Sequence, residues 1–423
     1  MPVEGQEELL LSDEAKAHPD FAATRAAVTV MRKLPEFAAM PPARQAAEIA
    51  RLRANPIGEK FELAEIEALE AAHADAVEGL LRDPIAFARQ VGIASPPDLP
   101  DDMSNPAAWT EVFAARAILG RVLADPGEKG DGAYLAAPVY FSRADRDRLK
   151  AMVDETADPA ARARLAGAFA NGFGADAPRA LEEIGAGPVF AHFGGLVART
   201  GTERLAAEAF AGQRAIELGN VKPPPQDVQL AAVEAALGDV ELPDEDAFRA
   251  TLRASAEAIY GARARGLDPA DDPATAEKAF GEAVQAALGG EGQFGGARDI
   301  NGRTTILPPE VLSTSVERAL EVIAPEAWQA ATPTGGAPQF ADGTPLTTDS
   351  EGRLQLIAVT PDLYAVEYFV RGNAPMALQD SETGGALLID LRRFISASRR
   401  WRDEHERKRG DRRNDRGGAE ADP

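Results

Sequence analysis

The fold is decided by residues 142–218, which read SRADRDRLKAMVDETADPAARARLAGAFANGFGADAPRALEEIGAGPVFAHFGGLVARTGTERLAAEAFAGQRAIEL. Five helix start signals occur in this stretch, each a capping side chain or a glycine at the point where apolar residues begin to recur at helical spacing. The signals are Ser142, Asp158-Pro159, Asp176-Ala177-Pro178, Gly187-Pro188 and Gly201-Thr202. The stretch therefore predicts five short helices in succession.

Glycines predict where these helices end. Gly172, Gly174, Gly185 and Gly201 stand at positions where a left-handed residue commonly closes a helix. A lone helix of fewer than about 12 residues is marginal in water, so helices this short must pack on one another. Short connecting loops favour antiparallel neighbours. We therefore predict a mainly α fold, an array of short antiparallel helices with a small C-terminal β-meander and a disordered basic tail.

Proline, glycine and charge patterns divide the chain into four parts. These are an N-terminal helical arm (1–58), a helical body (59–330) that contains the core run (142–218), a small β element (331–391) and a basic, partly disordered tail (392–423). A helix from Phe21 to Lys33 is expected to end before Pro35. An uninterrupted helical pattern from Lys60 to Arg82 predicts one long helix.

The C-terminal third of the chain departs from the helical pattern. Residues 289–302 contain six glycines and predict a flexible loop, while Pro308-Pro309-Glu310 predicts the start of a helix that ends at Ile323. Strands are predicted at 353–359, 363–370 and 386–391, where apolar residues alternate or cluster.

Composition excludes several classes of site. The chain has 423 residues, 45% of them apolar, and no cysteine, which removes disulfides, zinc-thiolate centres and cysteine nucleophiles. No apolar segment approaches the roughly 18 residues that cross a bilayer. The acidic N-terminal residues lack the order of a signal peptide. We therefore expect a soluble chain with no stable transmembrane segment.

Charge is distributed unevenly along the chain. The formal net charge is −23, which disfavours nucleic-acid binding by the body of the protein. Residues 392–416 nevertheless contain eleven Arg or Lys and five Asp or Glu. A helix is expected around Phe394 and Trp401, with no regular structure from Arg407 onward. The tail residues expected to contact phosphate or an acidic partner are Arg399, Arg400, Arg407, Lys408, Arg409, Arg412 and Arg413.

Other chemical motifs give weaker signals. The histidines, His18, His73, His192 and His405, are scattered singly, and His192 is interpreted as a core or interface residue. The glycine cluster at 289–296 lacks a following Gly-Lys-Ser/Thr, so a loop explains it better than a phosphate site. Acidic pairs are interpreted as solvated faces, and no G-x-S-x-G turn occurs. We expect no catalytic residue, metal or cofactor.

A resemblance covers residues 133–323. The apolar lead AYLAAPVYFS (133–142), the turn FGADA (173–177), the helix AEAIY (256–260) and NGRTTILPP (301–309) resemble a pattern in internal virion, or DNA-ejection, proteins of tailed bacteriophages and related prophage proteins. Some members of that family carry a peptidoglycan-cleaving domain, and we expect none in this chain, because its sequence pattern is not found here. No catalytic residue is therefore carried over.

The resemblance implies a non-enzymatic structural protein of a phage or prophage particle. Such a protein would form a homo-oligomer, assemble with other virion proteins such as portal or tail components, and assist DNA delivery, with weak DNA contact through its tail. It would reside in the virion, and in the host cytoplasm during assembly. Two alternatives stay open: a helical adaptor that binds a partner protein in the cell, and an unrecognised hydrolase.

Overall fold

The computed structural model describes residues 13–18, 21–54, 60–125, 132–155, 158–238, 240, 245–347, 352–360 and 362–417. Well over half of the chain is helical, and this confirms the mainly α prediction. Contacts divide it into two compact units, an N-terminal unit of residues 1–198 and a C-terminal unit of residues 199–423. The boundary falls within the predicted core run.

The N-terminal unit is built from helices. They are α1 (Asp13–Lys16), α2 (Phe21–Ala38), α3 (Pro42–Ala54), α4 (Lys60–Arg82), α5 (Pro84–Gln90), α6 (Pro106–Ala124), α7 (Arg143–Glu155), α8 (Pro159–Phe173), α9 (Ala177–Ile184) and α10 (Pro188–Thr200), the last of which runs two residues past the boundary. Helices α2 and α3 pack on α4 around Phe37, Ile49, Ile66 and Leu69. The arm prediction needs one correction, because α2 continues through Pro35 to bury Phe37 in this cluster.

Local capping explains why the core run folds as expected. Ser142 Oγ accepts the Asp145 N–H at 3.2 Å, while the Asp145 carboxylate accepts the Ser142 N–H at 3.2 Å, which forms a capping box before α7. Asp158 caps α8 through the Ala160 N–H at 2.9 Å. With α11 (Arg204–Glu217), the predicted five helices are all present.

Two of the predicted helix signals, Gly172 as a helix end and Asp176 as a cap, have other roles in the structure. Gly174, Gly185 and Gly201 have the positive φ of helix-closing residues, but Gly172 lies inside α8. A side chain at Gly172 would meet the Phe113 Cβ at 2.5 Å, so this glycine allows α8 to approach α6 closely. Asp176 makes no capping bond to α9, and it instead lies 3.3 Å from Arg121.

Aromatic side chains form the core of the N-terminal unit. Phe113 of α6 packs against Phe169 and Phe173 of α8, with ring centroids 4.8 and 5.3 Å apart. Tyr140 and Phe141, which precede α7, complete the cluster. Because α6 and α8 contribute most of these rings, their contact positions the segment at 133–142 that carries the apolar lead.

The C-terminal unit begins with a group of packed helices. They are α11, α12 (Gln226–Leu237), α13 (Glu245–Arg263) and α14 (Pro273–Ala287), with α11 against α13 and both α12 and α13 against α14. Gly212 of α11 and Gly261 of α13 face each other at the crossing, where a Cβ on Gly212 would overlap the Ala258 carbonyl oxygen. The two backbones are therefore in direct contact.

The glycine-rich stretch forms a hairpin, not the loop that the sequence predicts. Strands β1 (Phe294–Ile300) and β2 (Arg303–Leu312) pair antiparallel around Asn301 and Gly302, whose φ values of 56° and 89° fit a tight primed turn. The helix predicted from Pro308 is also wrong, since α15 begins at Ser313. Pro308 and Pro309 lie in an irregular part of the ladder, where their missing N–H groups are tolerated.

A four-stranded sheet, a two-stranded sheet and three further helices complete the described chain. The elements are α15 (Ser313–Leu320), α16 (Pro325–Gln329), β3 (Pro338–Gln339), β4 (Arg353–Ala358), β5 (Leu363–Phe369), β6 (Met376–Ala377), β7 (Gln379–Asp380), β8 (Leu388–Asp390) and α17 (Leu391–Gly417). Central strand β5 pairs with β4, β6 and β8, all antiparallel. Tyr364, Val366 and Tyr368 are buried on one face, as their alternation predicts.

Candidate interaction surface

Helix α17 is firmly anchored at its first turns. The Asp390 carboxylate accepts the Arg393 N–H at 3.0 Å and caps the helix. Leu391 and Phe394 are fully buried, and the Phe394 ring lies 4.2 Å from the Trp328 ring of α16. Ala397 and Trp401 pack against α16 and the residues that precede it. The base of α17 is thus part of the C-terminal core.

The same helix leaves the body of its unit after Trp401. Residues 403–407 are all exposed, and five consecutive residues cover the full circumference of a helix with 3.6 residues per turn. No side of this segment is therefore covered by the described chain. The helix continues to Gly417, about 24 Å beyond Trp401 at about 1.5 Å per residue.

The extent of α17 corrects the tail prediction in part. The sequence predicts loss of regular structure from Arg407, whereas the helix runs ten residues further. Residues 418–423 lie outside the described part.

Charge pairing changes along α17. Arg392 pairs with Glu310 and lies 3.8 Å from Asp362, and Arg393 lies 3.5 Å from Asp390. Beyond the first two turns, Arg399, Arg400 and Arg407 are exposed, and no carboxylate of the described residues lies within 4 Å of them. The remaining predicted contact residues, Lys408, Arg409, Arg412 and Arg413, are in the helix, but their side chains lie outside the described part.

This basic helix contrasts with the rest of the chain. Residues 392–416 carry a net charge of +6. Because the whole chain carries −23, all other residues together carry −29. Trp401 stacks on His405, with ring centroids 3.9 Å apart and planes at 24°. His405 Nδ1 lies 3.0 Å from the Trp401 carbonyl oxygen and acts as its donor. The chain therefore combines an exposed basic helix with an otherwise strongly acidic composition.

A buried polar network lies in the N-terminal unit, and no sequence pattern indicates it. The Arg116 side chain has no exposed surface, lies 2.8 Å from the Asp145 carboxylate and donates to the carbonyl oxygens of Pro97 and Tyr140. Burial would raise the pKa of Asp145, but hydrogen bonds from Arg116 and Ser142 lower it overall. This network holds the 133–142 segment in place.

Glu183 of α9 supports the same segment and provides a pH-dependent prediction. Its carboxylate accepts the N–H groups of Tyr140 at 3.1 Å and Phe141 at 3.3 Å. Burial raises the pKa of Glu183 despite these bonds. A raised pKa means that the contribution of this group to stability is full below its unfolded pKa and is lost as pH rises through its folded pKa.

We therefore expect Glu183→Gln to gain stability relative to the native chain as pH rises from about 4 to 8, because its amide oxygen still accepts while the buried charge is gone. Glu183→Ala should instead lose about 1–3 kcal/mol, because it leaves the two N–H groups without an acceptor. Urea unfolding across this pH range measures both. A Gln variant with an unchanged pH profile would contradict the assignment.

Two of the histidines considered from the sequence contact residues that hold the fold together. His73 Nδ1 lies 2.9 Å from Gln45 Oε1, and buried Gln45 donates to the Phe37 and Met40 carbonyls, which closes the turn before α3. His192 packs edge-on against Phe193, with ring centroids 5.2 Å apart. Within the described ranges, no three His, Asp or Glu side chains are placed to hold a metal ion.

The glycine cluster turns several of its carbonyl oxygens toward an arginine. The Arg298 guanidinium donates to the carbonyl oxygens of Gly292, Gly295 and Phe294 at 2.7 to 3.1 Å. An open depression of about 430 Å³ beside it is lined by Glu291, Phe294 and Pro309 among others. The Glu291 carboxylate is paired with Arg204, and the carbonyl oxygens are occupied by Arg298, so both cations already have partners. The basic helix is therefore the better candidate surface.

Comparison with known proteins does not identify a relative. The chain matches no protein-family model, no curated protein and no solved structure. Among the helices in the described part, none combines the length and apolar character needed to span a membrane.

Proposed function

We propose that the chain is a non-enzymatic structural protein of a tailed phage or prophage particle. It assembles with its own copies and with other virion proteins, such as portal or tail components, and assists DNA delivery. The observation that carries the proposal is the basic helix α17, which extends from an acidic chain and exposes every side between residues 403 and 407. A free helical segment of this length is marginal in water, so it gains stability from a partner.

The positions behind the family resemblance have structural roles in this chain. Tyr140 and Phe141 belong to the aromatic core, Tyr260 is buried in α13, and Asn301 forms the hairpin turn. These residues determine how the chain folds. A resemblance at such positions is what a shared fold would produce, and a fold alone does not assign a function.

Particles purified from the source test the proposal directly. Quantitative mass spectrometry should find the chain at several copies per particle, and a mock preparation from cells without particles should lack it. The opposite result, a chain absent from particles and monomeric in solution, would favour the cellular adaptor or, with turnover of a small substrate, the hydrolase.

A further inference from the structure

The exposed face of α17 carries arginines at regular spacing. Arg393, Arg400 and Arg407 follow one another at seven residues, which is two helical turns, so they lie along one side of the helix. Arg393 is paired with Asp390 of its own unit, while Arg400 and Arg407 have no carboxylate within 4 Å among the described residues. Arg407 Nε donates to the Asp403 carbonyl oxygen of its own helix at 3.2 Å. The two positions, about 10.5 Å apart along the axis, form a basic face without a carboxylate partner among the described residues.

Helix α4 presents the complementary charge. Its Glu65 and Glu70 pair with Lys33 and Arg53 of the helices that pack on it. Its outer face carries Glu67, Asp75 and Glu78, which are exposed and have no Lys or Arg within 4 Å in the described part of the chain. Glu67 and Asp75 are about 12 Å apart along the helix axis, so two arginines about 10.5 Å apart can reach both.

We propose that the Arg400–Arg407 face of α17 docks on the Glu67–Asp75 face of α4 in a second copy of the chain. This inference rests on the proposed function and names the contact through which the copies assemble. Charge complementarity favours a second copy of the chain as the partner. The basic helix carries a net charge of +6, and the rest of the same chain carries −29.

An acidic protein surface fits this helix better than nucleic acid does. Asp403, Glu404 and Glu406 lie within the same two turns as Arg400 and Arg407, and they would repel a continuous row of phosphates. Trp401, the one aromatic residue of α17 after Phe394, is partly buried and stacks on His405, so it does not offer a free face to a base. Two separate arginines are instead suited to two separate carboxylates on a protein surface.

The contact is expected to be weak and salt-sensitive. Exposed ion pairs contribute little individually, so the association depends on several of them acting together at low ionic strength. At about 1 M salt the screening length falls to about 3 Å, and the association should be lost.

Reciprocal charge reversal tests the contact by sedimentation velocity of the full chain at low salt. Arg400→Glu with Arg407→Glu, and separately Glu67→Arg with Asp75→Arg, should each weaken self-association about tenfold, and an equimolar mixture of the two variants should restore it. Arg265→Glu with Lys278→Glu, at exposed positions elsewhere in the C-terminal unit, gives the same change in net charge as the arginine variant and should leave association unchanged.

A native chain that stays monomeric at low salt would overturn the inference, and so would a mixture that fails to recover. Loss of duplex DNA binding in the arginine variant, with sedimentation unaltered, would assign the face to nucleic acid instead. Particle mass spectrometry separates this inference from the proposed function. If the chain is present in particles but the mixed variants do not associate, the contact alone is overturned. If the mixed variants associate but the chain is absent from particles, the proposed function alone is overturned.

Discussion

Replacing Arg116 by methionine is expected to lower the free energy of unfolding by about 3–5 kcal/mol, because it breaks a buried ion pair and leaves Asp145 without its main partner. The guanidinium also serves the carbonyl oxygens of Pro97 and Tyr140, which lose their donor in the variant. Chemical denaturation at neutral pH measures the loss.

Two further variants separate the contribution of the Arg116–Asp145 ion pair from the general effect of removing an arginine. Arg121→Met on the same helix removes an ion pair whose arginine is 60% exposed, and it should cost no more than about 1 kcal/mol. Asp145→Asn keeps an acceptor for the Ser142 cap, and combined with Arg116→Met it should add little to the loss. Strictly additive losses would contradict a direct pairing of Arg116 and Asp145.

The pair also predicts a response to acid. The lowered pKa of Asp145 gives stability that is present above its unfolded pKa and lost as pH falls through its folded pKa. Arg116→Met should therefore flatten the acid side of the stability profile, and a profile as steep as that of the native chain would count against this cause.

Replacing Gly212 by alanine should destabilise the C-terminal unit by about 3 kcal/mol, although alanine is the better helix former. The added Cβ would overlap the Ala258 carbonyl oxygen and lie 2.9 Å from the Gly261 carbonyl carbon, so α11 and α13 would have to separate. Thermal and urea unfolding would both register the loss.

Gly281→Ala is the matched control. Gly281 lies inside α14, and a Cβ at this position would have no other group within 4 Å, so alanine there should stabilise the chain by about 0.5–1 kcal/mol. Opposite signs for the two substitutions would identify backbone contact as the cause. A gain in stability at both positions would show that the α11–α13 crossing accommodates a methyl group.

Features set by local chemistry could be predicted from the sequence. The bounds of α4, Lys60–Arg82, match the helical pattern because its apolar spacing is uninterrupted. The capping box at Ser142 and Asp145 needs only residues three apart, so it too could be recognised. Strand β5 followed from alternation alone.

Features that depend on distant residues could not be predicted in this way. Arg116 and Asp145 are 29 positions apart, and nothing local distinguishes Arg116 from a surface arginine. Gly212 resembles a weak point of a helix until α13 is placed against it. The hairpin at 294–312 was predictable in principle, because Asn301-Gly302 is a strong turn signal, but the surrounding glycines favoured a loop interpretation.

For the candidate surface, the sequence indicated which residues are basic but not which of them are available. The structure divides them, since Arg392 and Arg393 are paired within the unit while Arg399, Arg400 and Arg407 are exposed without such partners among the described residues. It also shows where the tail can be shortened. Ending the chain at Leu391 would remove Phe394 from its contact with Trp328, whereas ending it at Glu406 keeps that core intact.

The central claim is that the exposed part of α17, which includes Arg407, is an assembly contact. It is tested most directly by co-expressing the full chain and a chain that ends at Glu406 during particle production, and comparing their ratio in purified particles with their ratio in the lysate. With both chains folded to the same thermal stability, the account predicts that the shortened chain is strongly depleted from particles. Equal ratios in particles and lysate would contradict it.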